Sequence, residues 1–177
     1  MAIGKKEWFS IDHEPIYLAH GSFGGCFTIA YEDRLRWYEK LEKNPHNFLV
    51  NELFDELKHS RKALANYLNC DFNGLVYFPN PSTALNTVIR SLDLNEHDEV
   101  LTSNHEYGAL DKTWNFYSEK RGFKYKKVKI DIPYDEENFF IDSFKKSITK
   151  KTKVIFLSHI TSSTALIFPV EEICKIA

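Results

Sequence analysis

Leu75-Val76-Tyr77-Phe78-Pro79-Asn80-Pro81-Ser82-Thr83-Ala84-Leu85-Asn86-Thr87-Val88-Ile89-Arg90 is the stretch on which the reading of this chain turns. Four apolar residues stop at a Pro-Asn-Pro turn, and Ala84, Leu85, Val88 and Ile89 then recur at helical spacing. The pattern predicts a strand over 75–78 that turns sharply into a helix over 83–92, with Ser82 or Thr83 at its N-cap. A helix start after a tight turn gathers unpaired N–H groups and hydroxyls at the positive end of the helix dipole, which attracts a phosphate. An ordinary capped helix after an ordinary strand gives the same pattern, so the turn by itself names no ligand.

Downstream of this turn, strand and helix patterns alternate. Glu99-Val100-Leu101-Thr102-Ser103 reads as a short strand ending in the polar run Asn104-His105-Glu106-Tyr107-Gly108. A helix over 109–121 follows, closed by Gly122. Residues 123–130 read as a second strand, 132–138 as a loop and 141–148 as a helix. Lys153-Val154-Ile155-Phe156-Leu157 has the unbroken apolar run of a buried strand and ends in Ser158-His159-Ile160-Thr161-Ser162-Ser163-Thr164. Pro169 opens a last helix. This alternation predicts an α/β fold with a mostly parallel sheet and helices on both faces. Ligands bind beyond the carboxyl ends of such strands, so the loops at 79–83, 104–107 and 158–164 are expected to converge.

Upstream, residues 1–15 read as a polar arm. Ile16-Tyr17-Leu18-Ala19 leads into His20-Gly21-Ser22-Phe23-Gly24-Gly25, a glycine-rich loop with neither GxGxxG nor Walker spacing. Helical patterns cover 28–43, closed by Asn44-Pro45, and 48–68, where Leu49, Leu53, Leu57, Leu64 and Leu68 form a stripe. The expected organisation is thus an arm over 1–15, a loop-and-helix region over 16–74, and the first part of an α/β domain over 75–177.

Composition narrows the function classes. A formal net charge of −2 over 177 residues provides no field that selects nucleic acid or an anionic membrane. The basic clusters Lys124-Tyr125-Lys126-Lys127, Lys145-Lys146 and Lys150-Lys151 read as solvated faces. Cys26, Cys70 and Cys174 lie far apart with no CxxC pair, which predicts neither a zinc site nor a disulfide framework and fits a reduced cytoplasmic setting. No run approaches the ~18 apolar residues of a membrane span. The last helical pattern carries Val170, Ile173 and Ile176 to the final residues without a stop signal. It predicts a domain that continues past Ala177.

Five motifs in order carry a family resemblance. They are Tyr17-Leu18-Ala19-His20-Gly21-Ser22-Phe23-Gly24, Arg36-Trp37-Tyr38-Glu39-Lys40-Leu41-Glu42-Lys43-Asn44-Pro45, residues 78–88 of the opening stretch, Ser103-Asn104-His105-Glu106-Tyr107-Gly108-Ala109, and Ser158-His159-Ile160-Thr161-Ser162-Ser163-Thr164-Ala165 with Pro169-Val170-Glu171-Glu172-Ile173 after it. Their order resembles the N-terminal part of class V aminotransferase-type enzymes of fold type I, in particular the isopenicillin N epimerase-like branch.

The resemblance implies pyridoxal phosphate as cofactor, an amino acid as substrate, and transamination, epimerisation or C–S lysis as reaction. It also implies a homodimer. Asn80, Ser82 and Thr83 would grip the cofactor phosphate, His105 (with Tyr107 as second choice) would stack on its ring, and Thr161 and Ser162 would approach its phenolic oxygen or the substrate. His20 and Ser22 would face the substrate. Pro81 departs from the small residue expected there, which removes one N–H donor. The family's pyridinium-pairing aspartate and cofactor-holding lysine match no position in these 177 residues, so no catalytic residue is assigned and the chain alone is expected to be inactive. Two other readings fit the residues: a complete non-catalytic phosphate- or nucleotide-binding α/β module, and an interaction fragment.

Overall fold

The computed structural model describes residues 8–12, 14, 16–133 and 137–177. Most of the arm expected over 1–15 and part of the loop expected over 132–138 lie outside the described residues. The chain divides into two compact units, Met1–Val76 and Tyr77–Ala177.

The first unit is helical. Helix α1 runs Thr28–Lys43 and stops at Asn44, whose side chain accepts the Asn47 N–H and so caps the short helix α2, Pro45–Asn47. A π-helical turn, Phe48–Glu52, then leads into α3, Leu53–Leu68. The helix expected over 48–68 is therefore present, with its first turn widened. Lys40 joins the elements: its ammonium pairs with Glu52 at 2.7 Å and Glu56 at 3.2 Å and lies 5.0 Å over the Trp37 ring. Asn69 ends α3 in the left-handed conformation, φ 53°. The leucine stripe forms, but its burial is incomplete: among the described residues of α3 only Ala65 is buried, and Leu57 and Leu68 remain exposed.

In the second unit three parallel strands run in the order β2-β1-β3, with β1 Glu99–Ser103, β2 Lys124–Val128 and β3 Thr152–Ile155. Val100 faces Tyr125 and Val154 across the ladder, and Leu101 faces Lys126 and Ile155. Because strand side chains alternate, these two neighbours enter different cores. Val100 packs with Ile89, Leu94, Trp114 and Phe123, contributed by α4 (Pro81–Ser91), α5 (Gly108–Arg121) and the segments that follow each. Leu101 packs with Phe140, Phe144, Phe168 and Ile173, contributed by α6 (Glu137–Ser147), α7 (Val170–Ile176) and the approach to α7. Helices thus cover both faces, as the alternation requires. Truncating a fully buried ring such as Trp114 or Phe140 to alanine is worth about 3–5 kcal/mol.

Two strand expectations need correction. Residues 75–78 are not a strand of the sheet; Leu75 has extended backbone, and Val76, Tyr77 and Phe78 stay 68, 44 and 42% exposed. A strand exists only where a second backbone takes its N–H and C=O groups, and among the described residues no ladder pairs 75–78 with the sheet. Of the run 153–157 only residues 153–155 enter β3, and the run is only half-buried, with Lys153 exposed, because it lies on the outside of the three. The fully buried strand is the more polar β1.

β1 starts with a buried carboxylate. Glu99 Oε2 accepts the Thr149 hydroxyl at 2.7 Å and the Lys126 ammonium at 3.3 Å. These partners, the hydroxyl foremost, hold the carboxyl below the usual glutamate range. A depressed folded-state value adds stability that is complete above the ordinary glutamate value of about 4.3 and is lost as pH falls through the lower folded value. Thermal midpoints of wild type and Glu99→Gln between about pH 3 and 6 are therefore expected to converge toward the acid end, with the wild type losing stability more steeply. Parallel curves over that window would refute the assignment.

Candidate functional site

β1 delivers three polar side chains in succession to its carboxyl end, and they turn to different neighbours. Asn104 pairs with the backbone of Ile130 beyond β2: its Oδ1 accepts the Ile130 N–H at 2.7 Å and its Nδ2 donates to the Ile130 carbonyl at 3.3 Å. His105 Nε2 donates to that same carbonyl at 2.8 Å, which fixes the proton on Nε2. The ring is 8% exposed and meets Phe168 edge-on at 6.0 Å. Glu106 reaches the other way. Its carboxylate accepts the Ser103 hydroxyl at 3.2 Å, the Ser158 N–H at 3.0 Å and the Ser158 hydroxyl at 2.6 Å. The loops after β1 and β3, expected to converge, are joined here by a residue that sequence reasoning left unassigned. Its signal was a third polar residue in line after a buried strand. Tyr107 comes next, 47% exposed, as the N-cap residue of α5.

The start of α4 lies at the same edge. Asn86 Oδ1 accepts the Thr113 hydroxyl at 3.3 Å, six residues into each helix counting the first. At the far end Arg121 of α5 donates to the carbonyls of Leu92 at 2.6 Å and Arg90 at 2.8 Å, satisfying the C-terminus of α4. Contacts of near end to near end and far end to far end mean that the helices run in the same direction. Since α5 begins just beyond the carboxyl end of β1, both positive helix ends sit there.

The donors at this point are unequally available. The N-cap is Asn80, not Ser82 or Thr83. Its Oδ1 accepts both the N–H of Thr83 at 2.8 Å and the Thr83 hydroxyl at 3.0 Å. Pro81 occupies the first helical position, where the missing N–H is no loss and the fixed φ suits the turn. The proline thus suits the start of the helix, while the N–H it lacks remains absent from the donor set. Among the described residues, the N–H and hydroxyl of half-buried Ser82 have no protein partner.

Residues 159–168 fold back on themselves. Ile160 and Ile167 form an antiparallel bridge, the Phe168 N–H donates to the His159 carbonyl at 2.9 Å, and Thr161 exchanges backbone bonds with Leu166 and Ala165. Thr161 is 2% exposed, with its hydroxyl bonded to Thr164 at 2.7 Å and to the Leu166 N–H at 2.9 Å, so it holds the turn. Ser162 is exposed at the tip. Ala165 closes the turn at φ 54°, a region that favours glycine.

In the first unit, His20 Nδ1 accepts the Gly25 N–H at 3.3 Å, and its ring lies between Phe9 at 5.2 Å and Tyr17 at 5.0 Å. The Ser22 N–H donates to the Ala19 carbonyl at 3.1 Å. On the sheet, Asp111 in the first turn of α5 is bound by Lys127 at 2.7 Å and by the Tyr125 hydroxyl at 3.0 Å. Burial, with the Asp111 charge adding to it, pushes the Tyr125 phenol far above its ordinary range, so it stays a donor. Among the described residues no cluster of three or more His, Cys, Asp or Glu forms a metal site, and no helix is long and apolar enough to cross a membrane.

Comparison with known proteins gives a consistent set of similarities. The family described as Aminotransferase class-V matches residues 31–177. Isopenicillin N epimerase of Streptomyces clavuligerus is 27% identical over 166 residues, covering 93% of this chain and 42% of that protein. A probable cysteine desulfurase of Synechocystis sp. is 26% identical over 172 residues, covering 93% of this chain and 40% of that protein. The cystine C–S lyase C-DES, solved with cysteine persulfide, superposes with a TM-score of 0.78 at 22% identity over 86% of this chain and 40% of its own. The chain spans about two fifths of the length of these relatives.

Two substitutions test this local geometry by thermal or denaturant unfolding. Asn80→Ala removes the α4 cap and is expected to cost about 1 kcal/mol. Ala165→Gly relieves the left-handed residue and is expected to add roughly 0.5–1 kcal/mol after the unfolded-chain entropy of glycine is subtracted.

Proposed function

The chain belongs to the class V aminotransferase family, and from that premise we propose that its second unit forms the cofactor-holding floor of a pyridoxal-phosphate enzyme acting on an amino acid. The observation that carries this reading is the common direction of α4 and α5. Two positive helix ends lie side by side at the carboxyl edge of β1, and the Ser82 N–H and hydroxyl are open there. A dianionic phosphate fits that donor set.

When bound, pyridoxal phosphate supplies an electron sink for charge developing at the substrate Cα, and the reaction is transamination, epimerisation or C–S lysis. The protein's own residues bind and orient. Ser82 donates to the phosphate, while Asn80 and Thr83 shape the cup by capping α4. Tyr107 takes the stacking role, because its ring is exposed whereas the His105 ring is buried and bonded to Ile130. Thr161 holds the turn that presents the Ser162 hydroxyl toward the cofactor's phenolic oxygen or the substrate. A substrate role for His20 and Ser22 is carried from the family resemblance alone.

Residues 16–74 as a separate loop-and-helix region, 75–177 as the first part of the cofactor domain, a homodimeric assembly and a cytoplasmic setting belong to the same proposal. So does the absence of turnover by these 177 residues alone, since none of their lysines stands in the family's cofactor-holding context.

Titration with pyridoxal phosphate, followed by absorbance and tryptophan fluorescence, tests the site. Affinity for pyridoxal phosphate is expected to exceed that for pyridoxal. Ser82→Ala is expected to narrow the gap by roughly tenfold, the scale of a charge-assisted hydrogen bond. Equal affinity for the two compounds, or no effect of Ser82→Ala, would overturn the phosphate assignment. A stoichiometric borohydride-reduced adduct on one lysine of the 177 residues, with turnover of an amino acid, would overturn the inactivity.

A further inference from the structure

We propose that Glu106 is a positioning residue that clamps the turn carrying Ser162 to the loop carrying Tyr107, so that these two walls of the site move as one body. The proposal rests on the cofactor reading above for its functional consequence, and on geometry alone for the clamp.

The β1–β3 ladder ends early. Its last bond runs from the Phe156 N–H to the Leu101 carbonyl at 2.9 Å, and β3 itself stops at Ile155. Ser158 lies two residues beyond that bond, where the backbone ladder no longer holds it. The Glu106 carboxylate takes over at this point. Oε1 accepts the Ser158 N–H at 3.0 Å, Oε2 accepts the Ser158 hydroxyl at 2.6 Å, and the Ser103 hydroxyl adds a third donor from β1. Among the described residues no cation is ion-paired with this carboxylate, so direction rather than net charge sets the contact. The residue after Ser158 is His159, whose carbonyl receives the Phe168 N–H and closes the base of the turn over 159–168. The residue after Glu106 is Tyr107. One carboxylate therefore spans the roots of both elements, and the distance between the Tyr107 ring and the Ser162 hydroxyl follows from it.

Amide hydrogen exchange and pyridoxal-phosphate titration of the whole protein test this together. Glu106→Ala is expected to speed exchange over residues 158–164 by roughly tenfold while exchange within β1 is unchanged, and to weaken pyridoxal phosphate by a similar factor. Glu106→Gln keeps an acceptor for the Ser158 N–H and is expected to restore most of both. Glu106→Ala combined with Ser158→Ala is expected to be no worse than Glu106→Ala alone, since the glutamate acts through that serine. Unchanged exchange at 158–164 in Glu106→Ala, or additive effects in the double variant, overturns the clamp. Uniform acceleration throughout β1 also overturns it, by showing a general stability role. If wild type does not bind pyridoxal phosphate, the cofactor reading fails, and the exchange data still decide the clamp.

Discussion

The carboxyl edge of the sheet is governed by the enclosure of β1. Its five residues are buried, strands flank both its edges, and cores cover both its faces. A chain leaving such a strand carries polar groups through a region where an unpaired donor or acceptor costs about 1–3 kcal/mol. His105 and Glu106 meet that requirement, the one against Ile130 and the other against Ser158, and the more exposed Asn104 ties the loop to Ile130 beside them. They are fasteners. Tyr107 is the first residue past them whose side chain is left exposed, and it stands where α5 begins.

The same logic of occupied and open donors applies at α4. Three polar residues, Asn80, Ser82 and Thr83, surround its start, but Asn80 and Thr83 satisfy each other. Ser82 is left with an open N–H and hydroxyl at a positive helix end. The neighbouring α5, held in the same direction by Thr113 and Arg121, adds a second such end. Dipoles placed side by side reinforce attraction for an anion and repel a cation, which is the physical basis of the proposed phosphate site.

The two units are built on different terms. The second is held by apolar burial on both sides of a sheet, with rings such as Trp114, Phe140 and Phe144 almost wholly out of solvent. In the first, Phe48 and Ala65 are buried, Lys40 sits between Glu52 and Glu56 in half-exposed ion pairs that add little, and much of the leucine stripe remains in contact with solvent. Exposed apolar side chains of this kind contribute little to stability, since the gain scales with area removed from water.

Sequence alone determined the order and extent of most elements, because helix and strand signals are local. The 3.6-residue spacing, Asn44-Pro45 and Gly122 fixed α1 and α5 closely, and alternating strands and helices implied a parallel sheet covered on both faces. Motif order determined the family. Only the tertiary structure decided which strand is central, since burial follows position in the sheet and not hydrophobicity: polar Glu99–Ser103 is enclosed while the apolar run at 153–157 lies at the edge. It also removed 75–78 from the sheet. The roles of His105 and Thr161 as fasteners were likewise not legible locally, because a side chain's availability depends on what already bonds it, and those partners lie far along the chain or across a folded turn; Thr83 is instead held by the N-cap Asn80 three residues before it, a local signal.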